Sequence, residues 1–359
     1  MNRASALAWS WLNLLNKKRY DRLMERCGNL DDALLQLDPD LLLAIGCREE
    51  GMRAALTRLA EMNLERYEEQ LSQADVTLLS IEDEGYPERL RQSSDPPIFL
   101  HVQGNIALLS QPSAALVGTR MASAYGKRAA QECSAACVRA GLVTVSGLAS
   151  GIDGEVARET LRENGKHIAV LGHGLDHTFP VEHAKLREEI VARGGAVVSE
   201  YALDTPTQDH QFVARNRIIA GLALGTAVIE APTKSGALHT AQFALDDGRE
   251  VLAAPGQMFD PKSAGCLQLI AGGQARLIAV PEDVPAALGV IVPAASRSTY
   301  EAQNEAEEAV LSALSSLPQD IDTLVSATKL QAPALNATLT MLELAGAARN
   351  VGNGQWVRS

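Results

Sequence analysis

Between residues 115 and 265 the chain repeats one arrangement, in which a short apolar run ends at Gly, Ser, Thr or Arg and a helical pattern follows. Five segments show it: ALVGTR, VTVSGLASGID, IAVLGHGLD, AVIEAPTKSG and VLAAPG. Strands that alternate with helices predict a doubly wound, mostly parallel α/β sheet. The carboxyl ends of the strands then share one edge, where helix N-termini favour anions. The sequence therefore predicts an anion-binding crevice, and phosphate is the expected ligand.

Hydrophobic periodicity extends this prediction along the chain. Apolar runs predict strands at 98–102, 114–118, 142–146, 168–171, 196–200, 227–230, 250–254 and 276–278. Helical patterns lie between most of them, at 124–140, 153–163, 182–192, 215–224 and 238–247.

The flanks of this region follow other patterns. Residues 1–80 have apolar residues at helical spacing and predict a small helical domain of the SAM or helix-hairpin-helix kind, ahead of a sheet domain at 81–285. A stretch rich in proline and polar residues, 286–304, predicts a linker. Residues 305–359 predict a winged helix. Its expected elements are helices at 305–317, 321–329 and 333–345 and a hairpin at 351–357 closed by Asn353 and Gly354.

Charge and composition limit the function classes. The 359 residues carry a formal net charge of −12 with a pI near 5.1, and 4% of them are aromatic. These values argue against nucleic-acid binding through overall charge and against a broad base-stacking sheet, so any DNA contact must be local and salt-sensitive. Five scattered cysteines without a CxxC, no signal-peptide pattern and no apolar run of membrane-spanning length predict a cytoplasmic protein that does not contact membranes.

No cofactor or metal is expected. The sequence lacks GxxxxGK[ST] and lacks GxGxxG after a first strand, which argues against P-loop and dinucleotide-binding enzymes. His173, His177 and His183 lie close in sequence but lack the partners and spacing of a zinc site. Because no Ser/His/Asp or Cys/His set assembles, we expect the sheet to bind rather than to catalyse.

Three strand ends supply candidate anion contacts: glycines for close backbone approach, hydroxyl groups, and cations that bind phosphate. The candidates are Gly118, Thr119 and Arg120 after one strand, Ser146 and Gly147 after the next, and Lys234, Ser235 and Gly236 at a later helix. Asp153 is expected to cap the helix that follows the second of these strands. An ordinary surface arginine after a βα turn would explain Arg120 equally well.

The most informative cluster is Phe212 followed by Arg215, Asn216 and Arg217. Two cations at the start of an otherwise apolar helix are unfavourable with the helix dipole unless an anion lies beside them. Phe212 either stacks on a base or packs as a hydrophobic staple on the helix that follows.

The ordered segments GTR, SGLASGID, AVLGHGLDHTFP, FVARNRIIAGLA, VIEAPTKSGALHTA, GREVLAAPG and SAGCLQLI resemble the DprA (Smf) family of DNA-processing proteins. The resemblance covers residues 80–280 and implies an extended Rossmann-like domain between a helical domain and a winged-helix (DML1-like) domain. It also implies a non-enzymatic homodimer that binds single-stranded DNA, protects incoming DNA and loads RecA recombinase during natural transformation. The implied DNA-binding residues are Gly118, Thr119, Arg120, Ser146, Gly147, Phe212, Arg215, Asn216, Arg217, Lys234, Ser235 and Gly236.

Four positions depart from the family's pattern. Ala157 replaces a histidine, Val213 a proline, and His183 and Leu267 each replace an asparagine. The changes at 157 and 183 lie beside the expected crevice and bear on the detail of the pocket. The arginines of the pattern are unchanged.

Two alternative functions remain open at this point. A sensor of a small nucleotide signal would use the same crevice without chemistry. A nucleotide-cleaving phosphoribohydrolase of the lysine-decarboxylase-like group carries a catalytic Glu after a PGGxGT turn, whereas the corresponding stretch here is TKSGALHTA.

The charge of the C-terminal domain also limits its role. Residues 305–359 contain three basic residues, Lys329, Arg349 and Arg358, against six acidic ones, and 333–345 contains no Lys or Arg. A winged helix that reads DNA needs cations on its recognition helix. The domain is therefore expected to contact protein or to regulate.

Overall fold

The computed structural model describes residues 1–290, 300, 302–315, 318–352 and 354–358, and the chain separates into two compact units, Met1–Val292 and Pro293–Ser359. Three sequence predictions fall partly outside the described residues: much of the linker 286–304, the end of the helix 305–317, and Asn353 of the hairpin turn. No helix in the described ranges combines the length and the apolar character needed to cross a membrane.

Residues 1–75 form helices that begin at polar capping residues. The side chains of Asn2, Asn16, Asn29 and Asn63 each accept a hydrogen bond from the N–H three residues ahead, which satisfies a donor that the helix leaves free. Trp9 is fully buried in the core that these helices share. The helices are α1 (Arg3–Leu12), α2 (Lys17–Cys27), α3 (Leu30–Leu35), α4 (Pro39–Ala44), α5 (Glu49–Ala60) and α6 (Leu64–Gln73).

In the described part of the first unit, nine strands form one sheet, and all eight predicted strands are present. They are β1 (Val76–Ser80), β2 (Phe99–Gly104), β3 (Ser113–Gly118), β4 (Val143–Ser146), β5 (His167–Val170), β6 (Ala196–Ser199), β7 (Gly225–Glu230), β8 (Glu250–Ala253) and β9 (Arg276–Leu277). The prediction that residues 1–80 are helical was wrong for the last five, because β1 pairs antiparallel with β2.

The strand order is β1-β2-β6-β5-β4-β3-β7-β8-β9. The strands from β6 to β9 in this order are parallel, whereas β2 runs antiparallel to β6. The predicted doubly wound, mostly parallel sheet is therefore confirmed. Its helices are α7 (Glu88–Arg91), α8 (Ala124–Arg139), α9 (Ile152–Arg162), α10 (Ala184–Ala192), α11 (Asp209–Ala214), α12 (Asn216–Leu222), α13 (Gly236–Asp246), α14 (Ala264–Ala271) and α15 (Asp283–Ala287).

Alternate residues of the central strands enter two separate cores, one on each face of the sheet. In β3, Ala115 and Val117 join one core, whereas Ala114 and Leu116 join the other. This period of two is the geometry of a strand that is covered on both faces. It explains why the strand sequences are continuously apolar rather than alternating.

The chain changes direction across the sheet between β3 and β7. From β3 it continues through β4, β5 and β6 on one side, and it then returns to β7, β8 and β9 on the other. Connections that diverge from such a switch point leave a crevice outside the carboxyl ends of the strands. The predicted contact segments at 118–120, 146–147 and 234–236 follow β3, β4 and β7, so they surround this point.

A buried histidine joins β4 to β5 beneath this edge. His167 is fully buried, with Nδ1 2.8 Å from Thr144 Oγ1 and Nε2 3.2 Å from Ser146 Oγ. Burial lowers its pKa to about 3, and burial lowers the pKa of His101, on β2, to about 4. Both imidazoles therefore stay neutral in the folded protein.

We expect the free energy of unfolding to fall as the pH drops from 6.5 toward 4, because the unfolded chain binds protons at His101 and His167 that the folded chain does not. Each group contributes about 1.4 kcal/mol per pH unit in this window. His167→Gln keeps polar atoms beside Thr144 but does not ionise, so it should remove one contribution. Urea unfolding across the window measures the effect, and identical pH slopes for the two proteins would contradict it.

Within its described residues, the second unit has the predicted winged-helix arrangement. The helices α16 (Glu305–Ala313), α17 (Ile321–Thr328) and α18 (Ala332–Leu344) enclose a separate core. The strands β10 (Gln319–Asp320), β11 (Ala348–Gly352) and β12 (Gln355–Arg358) pair antiparallel in the order β10-β12-β11. Met341 and Leu344 of α18 are exposed, and the expectation that this unit contacts protein stays a prediction.

Candidate nucleic-acid interface

The loops that leave β3 and β7 are tied together at the switch point. The Thr119 N–H donates to the Glu230 carbonyl at 2.7 Å, and the Thr119 carbonyl accepts from the Ile152 N–H at 3.1 Å. Gly118 lets α9 pack closely on β3, because a Cβ at this position would lie 2.5 Å from Ile152 Cγ1. Gly118 and Thr119 therefore fix the floor of the crevice, and their predicted role as ligand contacts stays a prediction.

A carboxylate of the protein occupies the N-terminus of α8. Glu230 Oε2 accepts from the Ser123 N–H at 2.8 Å, and Glu230 Oε1 accepts from the Ser123 hydroxyl. Glu230 is buried, and a negative charge at a helix N-terminus is favourable with the dipole. An incoming phosphate would meet this carboxylate, so the start of α8 is not available to it.

A second carboxylate fills the loop after β4. The expectation that Asp153 caps its helix was wrong in detail, because Gly151 is the N-cap and carries no side chain for this bond. Instead Asp153 Oδ2 accepts from the Gly147 N–H at 2.9 Å and from the Ala149 N–H at 3.5 Å. Burial raises the pKa of Asp153, while Arg215 and these N–H groups act in the opposite direction.

Arg215 is an internal residue. Its Nη1 donates to the Gly147 carbonyl at 2.7 Å and to the Val170 carbonyl, and its Nε donates to Asn216 Oδ1 at 3.1 Å. Gly147 is required beside it, since a Cβ there would lie 2.2 Å from Arg215 Nη2. Burial lowers the pKa of Arg215 to about 10, and Asp153 counteracts part of that shift.

Arg217 is held in ion pairs. Its Nη1 and Nη2 donate to the two carboxylate oxygens of Glu200 at 2.8 and 2.7 Å, and its Nε donates to Asp95 at 2.9 Å. Burial works against the charge, but Glu200 and Asp95 outweigh it and raise the pKa of Arg217. The anions that the sequence required near Arg215 and Arg217 are therefore Asp153, Glu200 and Asp95, and neither guanidinium is free for a ligand.

Two further predicted contacts also face into the protein. Ser146 is fully buried beside His167. Asn216 Nδ2 donates to the Gly236 carbonyl at 3.1 Å, which fixes the start of α13 relative to α12. Both side chains position the edge of the sheet rather than line open space.

The open part of the site begins with Arg120. Its side chain is exposed, and its guanidinium carbon lies 5.0 Å from the centroid of the Phe212 ring. The Phe179 ring lies 5.4 Å from that of Phe212 and is 44% exposed. Phe212 is therefore in contact with Arg120 and Phe179 at the mouth of the crevice. A cation and two rings in a row form a surface on which planar groups can stack.

The start of α13 completes the site. Ser235 caps the helix, with its Oγ accepting from the Ala237 N–H at 3.3 Å. Lys234 and Gly236 are exposed, and a Cβ at Gly236 would meet nothing within 4 Å. Of the cations predicted for the site, Arg120 and Lys234 are the exposed ones. We call these residues, with Phe179, Phe212 and Ser235, the crevice.

The departure at His183 has a structural reason. The ring is buried, with Nδ1 2.9 Å from the Leu148 carbonyl and Nε2 3.0 Å from Arg158 Nη2. Since a carbonyl accepts and a guanidinium donates, Nδ1 carries the proton and Nε2 accepts. A Cβ at Gly154 would lie 2.7 Å from His183 Cε1, so this glycine leaves the room that the imidazole needs.

Comparison with known proteins gives consistent matches. Residues 77–289 match the family model described as DNA recombination-mediator protein A, and residues 293–354 match that of the DprA winged helix domain. Protein Smf of Escherichia coli (strain K12) is 42% identical over 214 residues, which is 60% of this chain. The alignment spans 57% of that relative, little more than half of its length.

Solved structures agree with these matches. DNA processing protein A (DprA) from Streptococcus pneumoniae superimposes with a TM-score of 0.67 at 33% identity, over 80% of this chain and 98% of that one. DNA processing protein A from Helicobacter pylori, whose structure is described in terms of its single-stranded DNA binding mode, gives a TM-score of 0.53 at 28% identity. That match covers 59% of this chain and 94% of the other.

Proposed function

Because the chain belongs to the DNA recombination-mediator protein A family, we propose that it binds single-stranded DNA in the crevice. The observation that carries this proposal is the row Arg120–Phe212–Phe179 beside the open start of α13, on a protein whose formal net charge is −12. A local cationic and aromatic site is what such a protein needs to hold a polyanion.

The geometry favours single strands over duplex. Bases within a duplex are stacked on one another, so they are not available to Phe179 and Phe212, whereas every base of a single strand presents a free face. The Arg120 guanidinium can donate two hydrogen bonds to one phosphate, and Lys234 with the Gly236 N–H, the first of α13, can hold a second. Phosphate contacts of this kind do not depend on base sequence.

The predicted contact residues divide into two groups on this proposal. Arg120, Phe212, Lys234, Ser235 and Gly236 touch the strand. The others hold those residues in place through the hydrogen bonds and close contacts described above: Gly118, Thr119, Ser146, Gly147, Arg215, Asn216 and Arg217.

A titration of single-stranded and duplex oligonucleotides of equal length tests the proposal. We expect tighter binding of the single strand. The slope of log K against log salt concentration should be about −0.7 for each phosphate that the protein neutralises. Equal affinity for the two forms, or a slope near zero, would overturn it. Displacement of the bound single strand by a mononucleotide would instead favour the small-nucleotide sensor.

The resemblance supports the further proposals that the protein is a cytoplasmic homodimer, acts without catalysis and loads RecA during natural transformation. Light scattering should give twice 38.2 kDa. Added protein should shorten the lag of RecA ATP hydrolysis on DNA coated with single-strand-binding protein. A monomer mass would contradict the homodimer, and an unchanged lag would contradict RecA loading. Release of free base from nucleoside monophosphates would contradict the proposal that the protein acts without catalysis.

A further inference from the structure

A second group of exposed apolar side chains lies along the same sheet edge, where the chain leaves β3 and β8. We call it the outer apolar group. It consists of Met121 (76% exposed), Tyr125 (49%), Met258 (79%) and Phe259 (92%). Met121 directly follows Arg120, and Met258 and Phe259 follow β8.

The segments that carry this group are firmly held. The Tyr125 hydroxyl donates to the Pro255 carbonyl, which joins the start of α8 to the end of β8 across β7. The Met121 N–H donates to Thr119 Oγ1 at 3.2 Å, so Met121 is fixed to the floor of the crevice. The outer apolar group and the crevice are therefore parts of one continuous edge.

Hydrogen bonds also fix the turn that contains Phe259. The Asp260 N–H donates to the Gln257 carbonyl at 3.0 Å, and the Ser263 N–H donates to the Asp260 carbonyl at 3.0 Å. Gly256 lies so close to Ser263 that a Cβ there would be 1.8 Å from its hydroxyl oxygen. Internal hydrogen bonds thus fix a turn whose apolar tip points away from the protein's own core.

Exposed apolar side chains that are grouped on one edge are typical of a surface that binds a ligand or partner. β5, which Phe179 follows, and β8 are separated by four strand spacings, or about 19 Å at roughly 4.8 Å each. Between them lie the exposed cations of the crevice, Arg120 and Lys234. Along this edge the rings of Phe179 and Phe212 come first, the cations Arg120 and Lys234 follow, and the ring of Phe259 comes last. The whole row is as long as several nucleotides.

On the basis of the proposed function, we propose that the outer apolar group is a second base-stacking platform, which binds nucleobases of the same strand whose phosphates contact Arg120 and Lys234. Two observations favour nucleobases as the occupant: Met121 joins this group to the crevice directly beside Arg120, and Met258 and Phe259 follow the strand beyond Lys234. Aromatic and thioether side chains accept any base by its face, so this contact adds affinity and length of footprint without sequence preference.

The test compares Phe259→Ala with wild type on a 12-residue oligothymidylate and on an abasic oligonucleotide of the same length. We expect the variant to bind oligothymidylate at least about five-fold more weakly and to bind the abasic strand as wild type does. The salt slope should not change, because no phosphate contact is lost. Leu35→Ala, which truncates an apolar side chain that is 86% exposed on α3, is the matched control and should have no effect.

Phe259→Trp gives a direct signal. Its indole should retain the affinity, and its emission should be quenched by oligothymidylate but not by the abasic strand. Wild-type affinity of Phe259→Ala, while Arg120→Ala binds weakly, would overturn the inference and leave the proposed function standing. If Phe259→Ala and Arg120→Ala both bind DNA as tightly as wild type, the inference and the proposed function are both wrong. A change in molecular mass or in the RecA lag with unaltered DNA affinity would assign the group to a protein partner.

Discussion

Replacing Arg120 with alanine is expected to weaken binding of single-stranded DNA by roughly ten-fold or more, since a charge-assisted hydrogen bond contributes about 1.5–3 kcal/mol. The Arg120 side chain is exposed and lies over the face of Phe212, so its loss should leave the fold intact. The slope of log K against log salt should become shallower by about 0.7, because one phosphate contact disappears. Fluorescence anisotropy at several salt concentrations measures both quantities.

Two further variants separate a site-specific effect from overall charge. Arg66→Ala removes one exposed positive charge from α6, in the N-terminal helices, and should change affinity very little. Arg120→Lys keeps the charge but not the planar fork, so it should recover the salt slope and only part of the affinity. Equal losses for Arg66→Ala and Arg120→Ala would show that the crevice is not the binding site.

The central strands could be predicted because they are short apolar runs buried on both faces and followed by turn residues. β1 was missed, since its five residues directly follow a helix and pair with β2 at the margin of the sheet. The turn residues Gly118 and Gly147 were predicted to allow close approach of a ligand, and that role stays a prediction. Each leaves room for a side chain of the protein, Ile152 in one case and Arg215 in the other.

The charge state of the site could not be predicted, because ion pairs join residues that are distant in sequence. Arg217 is separated from Asp95 by 122 positions and from Glu200 by 17. Local sequence shows the two adjacent cations at the start of α12, but it does not show which carboxylates the fold brings to them. The dipole argument correctly required anions there, and the protein supplies them itself. Arg120 and Lys234 are exposed, and no ion pair involves either of them in the part of the chain that the structure describes, so we expect them to be available to the ligand.

Replacing Arg215 with alanine is expected to destabilise the protein by about 3–5 kcal/mol, the usual cost of leaving a buried charge without the opposite charge that compensates it. Asp153 would stay buried without its cation, and the carbonyls of Gly147 and Val170 would lose their donor. Urea unfolding measures the change. Gly147→Ala should be similarly harmful, since its Cβ would overlap the Arg215 guanidinium.

The double variant Arg215→Ala/Asp153→Asn distinguishes charge from packing. An asparagine oxygen can still accept from the Gly147 N–H, but it carries no charge that needs compensation, so part of the lost stability should return. The same double variant should bind single-stranded DNA, once folded, with an affinity close to that of wild type. If Arg215→Ala instead unfolds like wild type and loses DNA binding as Arg120→Ala does, Arg215 contacts the strand directly. The buried arrangement would then have to open when DNA binds, because the present geometry gives a ligand no access to that guanidinium.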